Sequence, residues 1–336
     1  MPTILLIDDS AFTRKILRTM IASFSGFEVV AEAANGVEGI KKIEQYKPDI
    51  IILDVEMPVM NGLTLLKQIK KHPHRPRILL FSVHTQQHAQ ITMECLLEGG
   101  SDYLYKPTDN QSLSSLSDLL LQKLRNLSNP LKKTTSQTIS LPTNVFPRLI
   151  CIAASTGGPD MLKEFFMELH PHFSIPIAIV QHMPPHFTHL LAQTLSRQTD
   201  HVIREALEEG EIQANDIIIA KGGTHMNITK RDNQIWYEST LSPPIHGLRP
   251  SADILFSSAA HVLPSRVLGI VLTGMGNDGT MGAIDIHQQG GRIIIQDEES
   301  STVWGMPGSV FRSGIPTLVR SISEIAKHLN NMVESR

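Results

Sequence analysis

The chain has 336 residues, which is enough for two domains that each bury a core of their own. Apolar residues make up 41% and charged residues 19%, as in ordinary water-soluble proteins, and the net charge of -3 gives no electrostatic reason to expect a nucleic-acid partner. No apolar run approaches the length of a membrane span, and the opening MPTILLIDDS lacks the pattern of a signal peptide. The two cysteines fit reduced residues of a core. We therefore expect a cytoplasmic protein without membrane insertion.

Residues 1–122 alternate short β-rich runs with helical patterns. The predicted strands are Ile4–Ile7, Glu28–Glu32, Ile50–Leu53, Ile78–Phe81 and Asp102–Leu104. Such alternation is typical of an open parallel sheet covered by helices. Between the first two strands, Ser10 is suited to cap the N-terminus of a helix. We therefore predict a five-stranded parallel α/β domain for this part of the chain.

A segment without periodicity follows this domain. Residues 123–147 contain Pro130, Pro142 and Pro147 among polar residues, which indicates a linker. Apolar strand patterns return in residues 148–336, with helical patterns between them. The predicted strands are Leu149–Ala154, Ile175–Val180, Ile217–Ala220, Val267–Leu272 and Arg292–Ile295, and the predicted helices include Met161–Leu169 and Ala252–His261. The second domain is therefore predicted to be α/β as well, with a doubly wound sheet.

Polar side chains stand at or just after the predicted strand ends of the first domain. They are Asp8, Asp9, Asp54, Ser82 and Lys106. Ligands collect at the carboxyl ends of parallel strands, so we expect these groups to meet at one sheet edge. Three carboxylates at close range repel one another unless a divalent cation lies among them, and an all-oxygen ligand set favours Mg²⁺. Asp54 is then the candidate acceptor of a phosphoryl group, Lys106 neutralises the incoming charge, and the Ser82 hydroxyl follows the new phosphate.

Any one of these aspartates also fits a helix cap or a turn after a strand. The complete set is more specific, because LLIDDS, LDVEMPVMNG, LLFS and YLYKP resemble the receiver domain of bacterial response regulators. The resemblance implies that Asp54 is the phosphorylated residue and that Asp9 is the main metal carboxylate, with Asp8 in the same acidic pocket. It also implies that the main-chain carbonyl of Glu56 binds the Mg²⁺ ion.

A second set of residues points to nucleophilic catalysis. Ser155 follows the strand LICIAA and precedes Thr156, two glycines and Pro159, which suits the first turn of a helix. The serine is therefore predicted on a tight strand-to-helix turn, where main-chain N–H groups can face an oxyanion. Ala153 stands where the nucleophile elbow of serine hydrolases has glycine. A glycine-rich turn after a strand also fits phosphate binding, and that alternative stays open.

His182 comes just after the next strand and so lies on the same predicted edge as Ser155. A single histidine at a strand end is more often structural than catalytic. His186 and His189 raise the alternative of a zinc site, but two prolines interrupt the helical spacing and no carboxylate stands among these histidines. We therefore take His182 as the candidate general base.

Asp278 lies in LTGMGNDG, directly after another predicted strand. It fits an N-cap for a helix that begins near Thr280. It equally fits a carboxylate that orients His182 and stabilises the imidazolium formed during attack. The order serine, histidine, aspartate along the chain differs from that of the α/β-hydrolases, so membership of that family is not supported.

The motifs IAASTGGP, IVQHMPP, KGGTHM, HGLRPSADILFSSA, LTGMGNDG and VWGMPGSV, together with the receiver half, resemble the chemotaxis-specific protein-glutamate methylesterases. The resemblance implies Ser155 as nucleophile, His182 as general base and acid, and Asp278 as its partner. It implies hydrolysis of glutamyl methyl esters on chemoreceptor helices with release of methanol, and possible deamidation of receptor glutamines. The departures are small: Ala153 stands where the family usually has glycine, and Lys221 where it has proline.

The same resemblance implies that the unphosphorylated receiver inhibits the hydrolase, and that a histidine kinase of the chemotaxis system is the phosphodonor. No cofactor is expected for the ester hydrolysis itself. The main-chain N–H groups near Thr156 and Met275 are candidates for oxyanion binding, and Arg249 either contacts an acidic substrate or braces a loop. Two other interpretations of the function remain. One is a response regulator whose second domain only binds a partner or nucleotide. The other is a transcriptional regulator, which the lack of a basic recognition helix disfavours.

Overall fold

The protein is described from a computed structural model that covers residues 1–70, 72–83, 86–107, 113–128 and 146–334. It divides into two compact units, Met1–Pro130 and Leu131–Arg336. Within the described residues, every helix is too short or too polar to traverse a lipid bilayer.

The N-terminal unit is a five-stranded parallel sheet with helices in the connections. Its strands are β1 (Thr3–Ile7), β2 (Glu28–Ala33), β3 (Ile50–Asp54), β4 (Arg77–Ser82) and β5 (Asp102–Tyr105), and its helices are α1 (Ala11–Ala22), α2 (Gly36–Tyr46), α3 (Gly62–Ile69), α4 (Gln86–Leu97) and α5 (Leu113–Leu127). The strand order is β2-β1-β3-β4-β5, and every pair is parallel. This is the flavodoxin-like order, so the predicted fold of the first domain is confirmed.

Two local features of this unit bear on the sequence predictions. The Ser10 hydroxyl accepts a hydrogen bond from the N–H of Thr13 at 3.2 Å, so this residue caps α1 as predicted. Helix α5 continues to Leu127, past residue 122, because Leu120, Leu124 and Leu127 are buried and extend the apolar stripe. Residues 129–145 of the predicted linker lie outside the described residues.

The C-terminal unit contains a seven-stranded parallel sheet. Its strands are β6 (Leu149–Ala154), β7 (Ile177–Gln181), β8 (Ile203–Glu205), β10 (Ile217–Ile219), β13 (Val267–Val271), β14 (Arg292–Gln296) and β15 (Leu318–Arg320). The helices are α6 (Gly158–Glu168), α7 (Phe187–Gln198), α8 (Ala252–Val262), α9 (Thr280–Gln288), α10 (Gly305–Arg312) and α11 (Ile322–Glu334). Every residue of β6, β7 and β13 is buried, as expected for strands that helices cover on both faces.

The order of this sheet is β15-β14-β13-β6-β7-β10-β8. From β6 the chain first adds strands on one side, then returns to place β13 against the other side of β6. The direction of winding therefore reverses between β6 and β13. In open α/β sheets, the crevice at such a switch point is where ligands bind.

A small antiparallel sheet, which the sequence analysis did not predict, completes this unit. It consists of β9 (Glu209–Glu211), β11 (His225–Arg231) and β12 (Gln234–Thr240), in the order β11-β12-β9. Its buried residues Met226, Ile228 and Tyr237 share one hydrophobic core with Leu255 and Phe256 of α8. The small sheet thereby supports the helix whose N-terminus lies at the crevice.

Candidate functional site

The polar residues of the first domain converge as predicted from their strand positions. Asp8 directly follows β1, Asp54 ends β3, and Lys106 directly follows β5. The Lys106 Nζ atom lies 2.9 Å from Asp8 Oδ2 and 2.7 Å from Asp54 Oδ2. One ammonium group thus bridges two carboxylates that are far apart in the sequence.

The third carboxylate completes a group that suits a divalent cation. Each of Asp8, Asp9 and Asp54 offers a carboxylate oxygen, and these oxygens lie within 4.8 Å of one another. Asp8 and Asp54 are buried, whereas Asp9 is exposed and leaves the group accessible from one side. Oxygen-only ligands of this charge fit Mg²⁺. Among the residues described, this is the one cluster of three acidic, histidine or cysteine side chains that meets such a distance limit, and His182, His186 and His189 do not form another.

The surroundings of Asp54 raise the pKa of its carboxyl group. Burial raises its pKa to about 6, although the hydrogen bond and charge of Lys106 act in the opposite direction. Neighbouring Asp8 raises it further, and the N–H of Glu56 donates only a long hydrogen bond of 3.3 Å to Asp54 Oδ1. An additional cation beside Asp54 would favour its charged form.

Ser82 lies at the end of β4 and is only 1% exposed. Its hydroxyl accepts a hydrogen bond of 2.8 Å from the hydroxyl of Thr92 on α4. Ser82 is therefore connected to the helix that follows its strand. The Glu56 side chain bonds to His88 of the same helix, with 2.8 Å between Oε2 and Nε2.

In the second unit, Ser155 lies on a tight turn between β6 and α6. Its N–H donates to the carbonyl of Thr273 at 3.0 Å, and its own carbonyl accepts from the N–H of Gly158 at 2.8 Å. Gly157 adopts the left-handed conformation with φ of 78°, which side chains with a Cβ disfavour, and the side chain of Thr302 occupies the space that a Cβ would need. Helix α6 therefore begins at Gly158, before the predicted Met161.

His182 and Asp278 form a buried pair at the same edge. Nε2 of His182 lies 2.7 Å from Asp278 Oδ2, and the two side chains are 8% and 2% exposed. The N–H of His182 donates to the carbonyl of Ala154 at 3.0 Å, which places it beside the Ser155 turn. Because Nε2 faces the carboxylate, Nδ1 is the ring nitrogen left for proton transfer. In the part of the chain that the structure describes, the Ser155 hydroxyl makes no hydrogen bond to this ring, an arrangement common in enzymes without substrate.

Asp278 is held as an anion by several donors. The Ser251 hydroxyl donates to Oδ1 at 2.7 Å, the N–H of Ala252 donates to Oδ2 at 2.7 Å, and the N–H of Asp253 donates to Oδ1 at 3.1 Å. Burial alone would raise the pKa of Asp278, but the hydrogen bonds from His182, Ala252 and Ser251 outweigh it and lower the pKa to about 2. Asp278 is therefore ionised at neutral pH.

Asp278 caps a different helix from the one that follows it. The two N–H groups that donate to it belong to the first turn of α8, whereas the N-cap residue of α9 is Gly279, which has no side chain to cap that helix. In return, Asp253 of α8 accepts a hydrogen bond of 2.9 Å from the N–H of Gly282 in α9. The two aspartates thus cap each other's helices, which fixes the Asp278 loop against α8.

The structure adds positioning residues that the sequence analysis did not single out. His225 is fully buried, and its Nδ1 accepts from the N–H of Ser251 at 3.1 Å while Nε2 contacts the carbonyl of Pro243 at 3.2 Å. Burial lowers the pKa of His225, and a neutral ring with a protonated Nε2 satisfies both contacts. His225 therefore holds the serine that in turn holds Asp278. The sequence shows His225 only as a member of the KGGTHM motif, which does not indicate this role.

Two further residues brace the turn of the candidate nucleophile. The side-chain amide of Gln181, at the end of β7, donates to the carbonyl of Ser155 at 2.9 Å, while its Oε1 is buried and has no hydrogen-bond partner among the described residues. The Thr273 hydroxyl donates to the carbonyl of Thr156 at 2.9 Å and accepts from the N–H of Val303 at 2.9 Å. Three separate loops are thus joined around Ser155.

A cleft of 290 Å³ opens beside His182, with Met183, Pro184 and residues 247–250 as its other walls. Arg249 lies in this wall and donates to the carbonyls of Leu241 and Ser242 at 3.3 and 3.2 Å, which braces the preceding loop. Thr156 and Met275, the candidates for oxyanion binding, are half-buried on the turns after β6 and β13. Their role stays a prediction.

The fold and these side chains define a class of protein: a phosphoacceptor receiver domain joined to an α/β domain of serine-hydrolase type. Models of two families match the chain, "CheB methylesterase" over residues 150–329 and "Response regulator receiver domain" over residues 4–117. Curated relatives named protein-glutamate methylesterase/protein-glutamine glutaminase include one from Trichodesmium erythraeum, 34% identical over 97% of both chains, and one from Thermotoga maritima, 35% identical over 98% of both.

A solved structure supports the same assignment for the second unit. The catalytic domain of the Thermotoga maritima CheB methylesterase is 33% identical, covers 56% of this chain and 100% of its own, and has a TM-score of 0.54. The chain therefore belongs to the CheB family of methylesterases that carry a receiver domain.

Proposed function

We propose that this protein hydrolyses glutamate methyl esters on the cytoplasmic helices of chemoreceptors, releases methanol, and deamidates receptor glutamines by the same chemistry. The single observation that carries the proposal is the buried pair of His182 and Asp278 beside the Ser155 turn, at the switch point of the sheet. The names of the relatives, which describe action on protein glutamates and glutamines, support this choice of substrate.

The proposed reaction has two stages. The Ser155 hydroxyl attacks the ester carbonyl while His182 accepts the hydroxyl proton at Nδ1. The C–O bond to the methoxy group then breaks, and His182 returns the proton so that methanol leaves. In the second stage, water attacks the acyl-serine while His182 accepts its proton, the bond between the acyl carbon and Ser155 Oγ breaks, and His182 returns the proton to Oγ, which leaves a free glutamate side chain. With a glutamine substrate, ammonia leaves in place of methanol.

Asp278 supports both stages without exchanging a proton itself. Its lowered pKa keeps it ionised, so it holds the proton on Nε2 of His182 and stabilises the imidazolium formed during attack. The main-chain N–H groups of Thr156 and Met275 are proposed to bind the oxyanion. The loss of one such donor typically raises the barrier by about 3 kcal/mol.

The receiver domain is proposed to control this activity through phosphorylation of Asp54 by a histidine kinase. Asp8, Asp9, Asp54 and the main-chain carbonyl of Glu56 would hold Mg²⁺, which neutralises the phosphoryl oxygens when bound. Lys106, within hydrogen-bonding distance of Asp54, balances the added charge. The Ser82 hydroxyl then exchanges its hydrogen bond with Thr92 of α4 for a hydrogen bond with the phosphate, so phosphorylation changes the contact between β4 and α4.

A methanol-release assay on methylated receptor tests the proposal, with and without acetyl phosphate. We expect the wild-type protein to release methanol and acetyl phosphate to raise the rate. Ser155→Ala should abolish release, a loss on the order of 10⁴-fold or more, because the nucleophile is removed. Ser323→Ala changes a half-buried serine on α11 whose hydroxyl bonds to Glu168, and serves as the matched control.

The result that would overturn the mechanism is undiminished methanol release by a folded Ser155→Ala protein. A fluorophosphonate probe separates the enzyme from a module that only binds a partner. We expect the probe to label the wild-type protein at Ser155 and to leave Ser155→Ala unlabelled. An unlabelled wild-type protein that also releases no methanol would support the binding module instead.

A further inference from the structure

Lys221 lies at the carboxyl edge of the seven-stranded sheet, in the loop after β10. This strand is the neighbour of β7, which ends beside His182. Lys221 is exposed. Its loop therefore occupies the same edge as the candidate catalytic residues, one strand further along.

The main chain around Lys221 is tightly fixed against the cleft beside His182. The Lys221 carbonyl accepts from the N–H and hydroxyl of Thr224 at 3.1 and 2.9 Å. A Cβ on Gly222 would lie 2.6 Å from the carbonyl carbon of Pro184, so only glycine permits this approach. The N–H of Gly223 donates to the carbonyl of Arg249 at 3.1 Å. Pro184 and Arg249 both line the cleft, so Lys221 projects from a rigid turn on its rim.

The charges of Lys221 and Arg249 are not neutralised by neighbouring carboxylates. Arg249 donates to two main-chain carbonyls, and within the described ranges neither side chain forms an ion pair. The nearby acidic groups have other partners. Asp278 is buried with four donors, and Glu205 accepts from the Thr188 hydroxyl at 2.5 Å. Lys221 and Arg249 are therefore two cations beside the cleft that form no ion pair with a carboxylate of the described residues.

We propose that Lys221 and Arg249 form a cationic rim that selects esters with a free carboxylate one helical turn from the reacting glutamate. The inference rests on the proposed function and specifies its substrate. Side chains four residues apart on a helix have Cβ atoms about 5–6 Å apart, so a carboxylate there reaches the rim while the ester enters the cleft. Complementary charge of this kind acts on selectivity and on the rate of encounter.

Two synthetic helical peptides test the proposal. Each carries one glutamate γ-methyl ester, with glutamate four residues away in the first and glutamine in the second. The readout is the ratio of kcat/KM for the two peptides, measured by methanol release. For the wild-type protein we expect a preference of about threefold for the acidic peptide, as for a partly exposed ion pair, and a smaller preference at high salt.

Substitutions at Lys221 sharpen the test. Lys221→Gln should bring the ratio closer to 1 while Arg249 keeps part of the preference, and Lys221→Glu, which offsets the charge of Arg249, should bring it to about 1. Lys230→Glu makes the same charge change at an exposed lysine of β11, on the small antiparallel sheet, and should leave the ratio as in the wild-type protein. A variant that is merely less active or less stable hydrolyses both peptides more slowly by the same factor. Such a loss therefore leaves the ratio of kcat/KM for the two peptides unchanged.

An equal ratio in the wild-type protein and both Lys221 variants would overturn the proposal. So would a shift in Lys230→Glu as large as that in Lys221→Glu, since net charge rather than the rim would then set the preference. Failure of the proposed function gives a different result: the wild-type protein would release methanol from neither peptide nor from methylated receptor.

Discussion

The two parallel sheets of this protein each present a buried aspartate at a carboxyl edge, yet the two carboxylates are prepared for opposite tasks. Asp54 in the receiver has a pKa raised to about 6, whereas Asp278 in the second unit has a pKa lowered to about 2. Both are nearly inaccessible, with exposures of 4% and 2%. Burial is therefore not what distinguishes them.

The difference lies in the donors around each carboxylate. Asp278 accepts from a histidine ring, a hydroxyl and two main-chain N–H groups at the start of α8, where the helix dipole also favours negative charge. Asp54 shares its main donor, Lys106, with Asp8 and has that second carboxylate as a neighbour. Asp278 is thus saturated as an acceptor, while Asp54 is suited to gain a cation and a phosphoryl group.

The comparison is tested most severely by Asp278→Asn. The amide has no negative charge to stabilise the imidazolium, and its NH₂ group cannot replace an acceptor of four hydrogen bonds. We expect kcat for methanol release to fall about 10³- to 10⁴-fold. Asp285→Asn alters a half-buried aspartate on the neighbouring helix α9 and should retain most of the activity. Activity of Asp278→Asn close to that of the wild-type protein would mean that His182 needs no carboxylate partner.

Substitution of Asp54 in the receiver should affect only the stimulation of methanol release by a phosphodonor. We expect Asp54→Ala to lose the stimulation of methanol release by acetyl phosphate and to keep the unstimulated rate, because the hydrolytic residues belong to the other unit. Asp118→Ala, at an exposed position of α5, should be stimulated like the wild-type protein. Full stimulation of Asp54→Ala would show that the phosphoryl group acts elsewhere.

The sequence predicted all five strands of the first sheet and the five central strands of the second, where apolar runs are separated by turn residues, but it missed the two edge strands β8 and β15, which have only three residues each and include charged side chains. It also placed Ser155, His182 and Asp278 on one edge, since position after a parallel strand is enough to locate a side chain there. It did not predict the reciprocal capping. For Asp278 the sequence analysis left two roles open, partner of His182 and cap of the helix that follows it, because cap rules consider only local neighbours. Its actual partners, Ser251 and Ala252, come from a helix placed there by tertiary packing.

The small antiparallel sheet could have been predicted. Strands β11 and β12 alternate buried and less buried residues, and Asp232 and Asn233 between them both have positive φ, at 47° and 71°. Two such residues between alternating segments are a signal for a tight hairpin. The role of His225 is different: nothing in the sequence indicates that its ring bonds to the main chain of Ser251, which lies beyond the hairpin.

The smallest expected effect concerns stability in acid. A carboxylate whose pKa is lowered by folding, here from 3.8 to about 2, stabilises the folded state above pH 4 and loses this contribution as the pH falls towards 2. The shift corresponds to about 2 kcal/mol in the free energy of unfolding. The only two tryptophans, Trp236 and Trp304, belong to the second unit, so their fluorescence follows the unfolding of that unit alone.

Urea titrations of the wild-type protein and Asp278→Asn at several pH values measure this contribution. The difference in unfolding free energy between the two proteins should be largest near pH 5 and should shrink by about 2 kcal/mol as the pH approaches 2, where the wild-type carboxyl becomes protonated. Acidic groups remote from Asp278 titrate equally in both proteins and cancel from the difference, whereas Asp253, whose pKa both burial and the charge of Asp278 raise, adds a smaller change of its own. A difference that stays constant from pH 5 to pH 2 would contradict this expectation. The hydrogen bonds to Asp278 would then stabilise the folded protein regardless of the charge on its carboxyl group, and the contrast with Asp54 would lose its electrostatic basis.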